Sequence, residues 1–124
     1  MAQSPVTVLV TGGNRGIGLG FVKHYLKDKR VKKVLATARD PNGASHLKAI
    51  SDPRLHIVKL DVQNDDSIKT AFKEVDKIVG SDGLSLLINN SGVFSHGNFS
   101  TPLDRKEINT LLDINVTSVI IVTQ

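Results

Sequence analysis

The sequence predicts an α/β fold in which a doubly wound parallel sheet carries helices on both faces. The first observation is that short apolar runs rich in β-branched residues alternate with segments of helical periodicity along the 124-residue chain. The second is a glycine-rich turn that joins the first apolar run to the first helical segment. Such alternation produces parallel strands with right-handed crossovers, and the expected strand order is 3-2-1-4.

The strands are predicted at four mainly apolar, strand-like runs, 6–11, 33–38, 55–60 and 84–90. Helices are predicted over 17–29, 44–50 and 67–79, and a fourth runs from about 104 to the end of the sequence. Asp65 and Ser67 offer capping groups at the start of the third helix, which Gly80 ends. Thr101 and Pro102 similarly mark the entry to the fourth helix.

The composition is that of one globular domain, with 40% hydrophobic and 23% charged residues. The net charge of +4 is dispersed, and a chain with one Tyr, four Phe and no Trp lacks stacking platforms for nucleic acid. There is no cysteine for disulfide or thiolate chemistry, and the four His residues lack the spacing of metal ligands, so no metal site is expected. No signal-peptide pattern or bilayer-length apolar segment is found, so the expected location is cytoplasmic, without membrane contact.

The glycine-rich turn predicts an anion site. Residues 11–18 read Thr-Gly-Gly-Asn-Arg-Gly-Ile-Gly, between the first strand and the first helix. Gly12 permits a tight exit from the strand, Gly16 lets the backbone approach a pyrophosphate, and Gly18 allows close packing of helix and strand. The start of a helix binds phosphate readily, although an ordinary strand-to-helix turn is the alternative.

The ends of the other strands agree with this placement. In a doubly wound sheet the ligand lies beyond the carboxyl ends of the strands, where the strand order reverses. The segments that follow the predicted strands are all polar or glycine-rich, and they lie at 12–17, 38–40, 61–62 and 89–92. Together they favour a dinucleotide coenzyme.

The residues after the second strand favour NADP(H) over NAD(H). An NAD site commonly has a carboxylate about twenty residues beyond the glycines, but Ala38 lies at that distance from Gly18. Arg39 follows at once and Arg15 lies within the glycine turn, and two guanidinium groups suit the 2′-phosphate of NADP(H). The alternative is that Asp40 supplies the carboxylate of an NAD site.

Four sequence features together resemble the short-chain dehydrogenase/reductase family, over essentially the whole chain. They are the glycine turn, the pair Asp61-Val62, the run 89–92 (Asn-Asn-Ser-Gly) and Asn115. Within that family the glycine turn and residues 36–40 look most like the NADPH-dependent carbonyl reductases of the sniffer or C-factor-like branch. The resemblance implies a Rossmann-type fold, with 1–124 as a single coenzyme-binding domain that forms the N-terminal half of a complete member.

The resemblance also implies roles for particular residues. Asp61 accepts a hydrogen bond from the adenine amino group, the Val62 main chain borders the ring, and a turn or helix cap is the alternative role of Asp61. Asn89 fixes the fourth strand and contacts the ribose, and Gly92 lets the chain pass the coenzyme. Ser91 replaces the alanine usual in the family, without an expected loss of binding. The residues implied at the pyrophosphate are Gly12, Asn14, Arg15, Gly16, Ile17 and Gly18.

Asn115 is the candidate catalytic residue. It lies within an apolar stripe of the last helix, where its amide needs a hydrogen-bond partner, so a satisfied core Asn is the alternative. The apolar positions of that stripe are Ile108, Leu111, Leu112, Val119 and Val122. In the resembled family the matching Asn belongs to a catalytic tetrad and positions a water in a proton relay.

The family's Ser and Tyr-x-x-x-Lys are not found at the matching place, because the sequence has about half the length of a complete member. Its one literal match, Tyr25 to Lys29, lies on the first helix and is interpreted as chance. The predicted function is therefore the coenzyme half of an NADP(H)-dependent carbonyl reductase-like oxidoreductase. The alternative is a catalytically inactive NADP-binding module or a partner of a full-length relative. A complete enzyme would take a small carbonyl substrate. Self-association is expected through the edge of the fourth strand or the last helix.

Overall fold

A computed structural model describes residues 6–93 and 103–124. Four parallel strands form one sheet in the order β3-β2-β1-β4, which confirms the predicted order 3-2-1-4. The strands are β1 (Thr7–Val10), β2 (Lys33–Ala38), β3 (Leu55–Lys59) and β4 (Leu86–Ile88). The predicted range of β2 is the observed one, and the predicted ranges of β1, β3 and β4 are two, one and four residues too long.

The helices alternate with the strands as the sequence predicts. They are α1 (Gly16–Leu26), α2 (Ser45–Lys48), α3 (Asp65–Val79), α4 (Arg105–Leu112) and α5 (Ser118–Thr123). A π-helical turn, Asp113–Thr117, joins α4 to α5, so the predicted fourth helix is continuous but not α-helical throughout. Within the described ranges, no helix is both long and apolar enough to cross a membrane.

The cap at the start of α3 differs from the predicted one, whereas the cap at its end is the predicted one. The cap of α3 is Asn64, whose side chain accepts a hydrogen bond from the Ser67 N–H at 2.9 Å, and Asp65 is the first residue of the helix. Gly80 ends α3 with a positive φ of 54°, as predicted. Thr101 and Pro102 lie outside the described residues, and α4 starts from a capping box instead. In that box the Asp104 carboxylate accepts from the N–H of Glu107 at 2.8 Å, and the Glu107 carboxylate accepts from the N–H of Asp104 at 3.2 Å.

The core has two layers, one on each face of the sheet. Val8 and Val10 of β1 point to one face, where they pack with Val22 of α1. Leu9 points to the opposite face and packs with Ala71 of α3. The central strands β1 and β2 are therefore buried on both sides, and this burial explains their mainly apolar sequences.

An arginine joins the end of α1 to the start of β3. The Arg54 guanidinium donates to the carbonyl oxygens of Leu26, Asp28 (3.0 Å) and Val31 (2.9 Å). It also pairs with the Asp52 carboxylate at 2.9 Å, and this hydrogen bond holds the pKa of Asp52 below its ordinary value. These contacts satisfy carbonyls after α1, which ends at Leu26, three residues before the predicted end.

Candidate coenzyme site

The glycine turn between β1 and α1 is fastened to β2. The N–H of Gly12 donates to Thr37 Oγ1 at 3.2 Å, and the N–H of Gly13 donates to the Thr37 carbonyl at 3.0 Å. Thr37 is 2% exposed. Because these two N–H groups are already hydrogen-bonded, the N–H groups that can bind an anion lie later in the turn. Gly12 instead allows the tight bend of the backbone, with a φ of +63° that favours glycine.

Those N–H groups belong to the first turn of α1. The helix starts after Arg15, which makes no side-chain cap, and its first turn contains no acidic residue. The first intrahelical bond is donated by Leu19, so the N–H groups of Gly16, Ile17 and Gly18 have no partner within the helix. N–H groups without an acceptor, together with the positive end of the helix dipole, form a site that can bind phosphate.

Gly18 allows the close contact that the sequence predicts. A Cβ at this position would overlap the Gly12 carbonyl oxygen and lie 2.5 Å from Asn90 Nδ2. Gly16 differs, because a Cβ there would meet nothing within 4 Å, and it is its φ of +56° that favours glycine. The two glycines therefore serve the turn for different reasons.

Asn90 joins the end of β4 to the glycine turn. Its side-chain Nδ2 donates to the Gly12 carbonyl at 3.1 Å. The hydroxyl of Thr11, itself 1% exposed, accepts from the N–H groups of Asn90 and Ser91 at 3.0 Å each. Thr11 and Asn90 belong to the motifs 11–18 and 89–92 but were not predicted as site residues, although a pair of Asn residues directly after a predicted strand is a usable signal.

Asn89, which the sequence analysis did select, faces the last helix. Its Nδ2 donates to Thr123 Oγ1 at 3.1 Å. This contact joins the end of β4 to the last helix, and it is the neighbouring Asn90 amide that reaches Gly12. The contact of Asn89 with a ribose stays a prediction.

Asp61 and Val62 follow β3 at the same edge of the sheet. Asp61 Oδ1 accepts from the Gln63 N–H at 3.0 Å, and the Asp61 N–H donates to Ser67 Oγ at 2.9 Å. One carboxylate oxygen thus forms the turn that the sequence analysis weighed as the alternative role. The other oxygen, Oδ2, has no hydrogen-bond partner among the described residues. The Val62 carbonyl accepts from Ser118 Oγ at 2.6 Å.

Arg15 and Arg39 supply positive charge beside the turn. In the ranges 6–93 and 103–124 the ion pairs are Arg30 with Asp28 and Arg54 with Asp52, so neither Arg15 nor Arg39 is paired there. Asp40 Oδ1 accepts from the Asn42 N–H at 3.1 Å and caps a short helical turn. That carboxylate oxygen is engaged in a local turn, whereas both guanidinium groups are exposed.

Asn115 lies in the π-helical turn and contacts the segment after β4. Its Oδ1 accepts from the Val93 N–H at 2.8 Å, and its Nδ2 donates to the Val93 carbonyl at 2.6 Å. The predicted partner exists, but the residue is exposed rather than enclosed by an apolar stripe. Gly92 lies beneath this contact, because a Cβ there would be 3.1 Å from Asn115 Oδ1.

The Tyr25 to Lys29 match is remote from this arrangement. Tyr25 lies in the last part of α1, about 14 Å along the helix axis from Gly16. Its ring stacks edge-on against His24 and packs on the core. The interpretation of this match as chance therefore agrees with the structure.

The family model described as short chain dehydrogenase matches residues 6–124. The chain belongs to the short chain dehydrogenase family. The predicted family resemblance is therefore confirmed.

Solved structures of other proteins have a fold similar to that of this chain. Sniffer of Caenorhabditis elegans superimposes with a TM-score of 0.93 and 50% identity, over 98% of this chain and 52% of that one. An NADPH-bound carbonyl reductase from chicken fatty liver gives a TM-score of 0.90 and 39% identity, over 96% of this chain and 49% of that one. A curated relative, the short chain dehydrogenase gsfK of Penicillium aethiopicum, is 36% identical over 115 residues, which are 90% of this chain and 45% of the relative. The chain thus spans about half the length of these proteins.

Proposed function

We propose that this chain binds NADP(H) as the coenzyme-binding half of an oxidoreductase that acts on carbonyl or alcohol groups. The observation that carries the proposal is the uncapped start of α1, which follows Arg15 directly; Arg39 comes directly after β2, the strand to which the glycine turn is bonded. Family membership supports the general chemistry. The NADPH named for the chicken carbonyl reductase, which is 39% identical, supports the choice of coenzyme.

The structure of the glycine turn fits a dinucleotide phosphate. The N–H groups of Gly16, Ile17 and Gly18 are free to donate to the pyrophosphate, and Asn14 lies half-buried just before them. At Gly16 an added Cβ would meet nothing within 4 Å, so the space beside the backbone is open there. A phosphate can therefore approach the backbone directly at this position.

The preference for NADP(H) follows from the charges after β2. Arg39 is exposed and free of any ion pair in the described ranges, so it can donate to a 2′-phosphate. Asp40, the candidate ligand for the ribose of NAD(H), uses a carboxylate oxygen to cap its own turn. One charge-assisted hydrogen bond contributes about 1.5–3 kcal/mol, which is roughly a tenfold to hundredfold preference.

When bound, the nicotinamide ring supplies or accepts a hydride. The chain's own residues hold the rest of the coenzyme: Asp61 through its free Oδ2 at the adenine amino group, and Asn89 at the ribose. Asn115 is the catalytic residue of this proposal. It orders the segment at Val93 through two hydrogen bonds and positions a water for proton transfer.

Calorimetric titration of the purified chain with NADPH and NADH tests the proposal. NADPH should bind at least tenfold more tightly than NADH, and Arg39→Ala should remove most of that preference. Arg30→Ala is the matched control, because Arg30 is an exposed arginine already paired with Asp28. The proposal is wrong if neither coenzyme binds to folded protein. The assignment to NADP(H) is wrong if Arg39→Ala leaves the preference intact.

A second function is an NADP-binding module without catalysis, or a partner for a full-length relative. It needs only the coenzyme site, because Tyr25 on α1 packs on the core and lies away from that site. NADPH oxidation with dicarbonyl and quinone test substrates checks it. Turnover by this chain alone excludes a module without catalysis, whereas coenzyme binding without turnover is the result expected of such a module.

A further inference from the structure

Ser118 makes an unusual hydrogen bond for a hydroxyl on a helix. Helical Ser and Thr commonly donate to the carbonyl four residues earlier. Thr110 and Thr123 on the same helical segment do so, to Lys106 and Val119 at 2.9 and 2.6 Å. Ser118 instead reaches across to the Val62 carbonyl at 2.6 Å, and its side chain is buried, with 3% exposure.

The π-helical turn explains how Ser118 reaches Val62. The N–H of Ser118 donates to the carbonyl of Asp113, five residues earlier. An extra residue in a helical turn changes the direction of the side chains that follow, and such turns are frequent at functional sites. As a result Asn115 contacts the segment after β4, while Ser118 contacts the segment after β3.

The segment after β3 is held at several points. Gln63 Nε2 donates to Asp113 Oδ2 at 3.0 Å, and the Asp61 N–H donates to Ser67 Oγ at 2.9 Å. Ser118 supplies the buried contact between these two, at the Val62 carbonyl. It therefore fixes the peptide plane between Val62 and Gln63, and with it the turn that orients the Asp61 carboxylate.

We propose that Ser118 is a positioning residue for adenine recognition, acting through the carbonyl of Val62. The inference rests on the proposed function, in which Asp61 and the Val62 main chain border the adenine of the coenzyme. Ser118 does not touch the coenzyme. It keeps the Asp61–Val62 segment where the free Asp61 oxygen can accept a hydrogen bond from the adenine amino group.

The test measures recognition of that amino group. The chain is titrated with NADPH and with its deamino analogue, in which a carbonyl oxygen replaces the amino group on the base. The wild-type chain should bind NADPH more tightly than the analogue, and Ser118→Ala should reduce this preference by about fivefold to tenfold. Ser118→Cys replaces the hydroxyl with a slightly larger and weaker donor and should give an intermediate preference. Thr110→Ala is the matched control, because its hydroxyl bonds within its own helix.

The outcomes separate the inference from the proposed function. Equal preference in wild type and folded Ser118→Ala overturns the role of Ser118 and leaves NADP(H) binding intact. A wild-type chain that binds both nucleotides equally also overturns it, because the Asp61–Val62 segment then does not recognise the amino group. Failure of the wild type to bind either nucleotide overturns the proposed function itself. Loss of preference confined to the Ser118 variants, with Thr110→Ala unchanged, supports the inference.

Discussion

Two glycines on one helix should respond in opposite directions to the same substitution. Gly18 is buried at the first turn of α1, and a methyl group there would overlap the Gly12 carbonyl and approach Asn90 Nδ2. Gly20 lies half a turn later, is exposed, and has nothing within 4 Å of an added Cβ. Both positions are helical, so the gain in helix propensity from Gly to Ala is common to both.

The magnitudes follow from these contacts. Forcing a methyl group into a packed site costs about 1–3 kcal/mol, and the weakened Asn90 to Gly12 hydrogen bond adds about 1 kcal/mol. Alanine recovers up to about 1 kcal/mol in a helix. The net loss for Gly18→Ala is therefore about 2 kcal/mol, whereas Gly20→Ala should gain about 0.5–1 kcal/mol.

Urea and thermal unfolding measure this difference directly. Gly18→Ala should lower the Tm by about 8 °C and Gly20→Ala should raise it by a few degrees, at unchanged m-value. If the two variants unfold together, the close approach of the helix to the glycine turn does not limit the residue at 18, and the account of the turn is refuted.

Arg54→Met should lower the unfolding free energy by about 2 kcal/mol, because three carbonyl oxygens around the end of α1 lose their donor; urea unfolding checks this, and an unchanged midpoint contradicts it. Arg54 depresses the pKa of Asp52, so the carboxylate contributes stability above its ordinary pKa of 3.8 that is lost as the pH falls through the lower folded-state value. The stability difference between wild type and Asp52→Asn should therefore shrink as the solution is acidified below pH 4, and a constant difference would contradict this linkage. For self-association, which we propose to involve the last helix, Leu112→Glu combined with Ile120→Glu should shift the chain toward monomer in sedimentation velocity, because both side chains are more than half exposed. An unchanged distribution would leave the exposed edge of β4 as the proposed contact.

The sheet was predictable because strands buried on both faces, as β1 and β2 are, carry a strong apolar signal. The range 33–38 was the same in prediction and structure. The end of α1 was not predictable, because Arg54, 28 residues away from Leu26, satisfies the carbonyls there. That contact depends on tertiary packing and leaves no local pattern.

The site residues could be predicted where they belong to a sequence motif. They were less predictable where only the hydrogen bonds of the folded chain show which of two neighbouring residues makes a contact. Gly18 was expected to allow close packing, and it does. That the Asn90 amide reaches Gly12 while Asn89 faces the last helix needed three dimensions, because both residues follow β4 and the sequence does not show which way each side chain points. The π-helical turn could not be predicted from the sequence, since an apolar stripe at helical spacing does not reveal one extra residue in a turn.

The two hydrogen bonds that the glycine turn donates to Thr37 have a consequence for the rate at which the proposed coenzyme binds. A loop that is already anchored to its neighbouring strand does not need to be ordered by the incoming molecule. Association can therefore proceed as rigid docking, so that little conformational entropy is lost at this point and encounter rates stay close to those of a preformed pocket. Thr37→Val keeps the shape of the side chain but removes the hydroxyl that accepts from the Gly12 N–H. In this variant the turn would have to become ordered when the coenzyme binds.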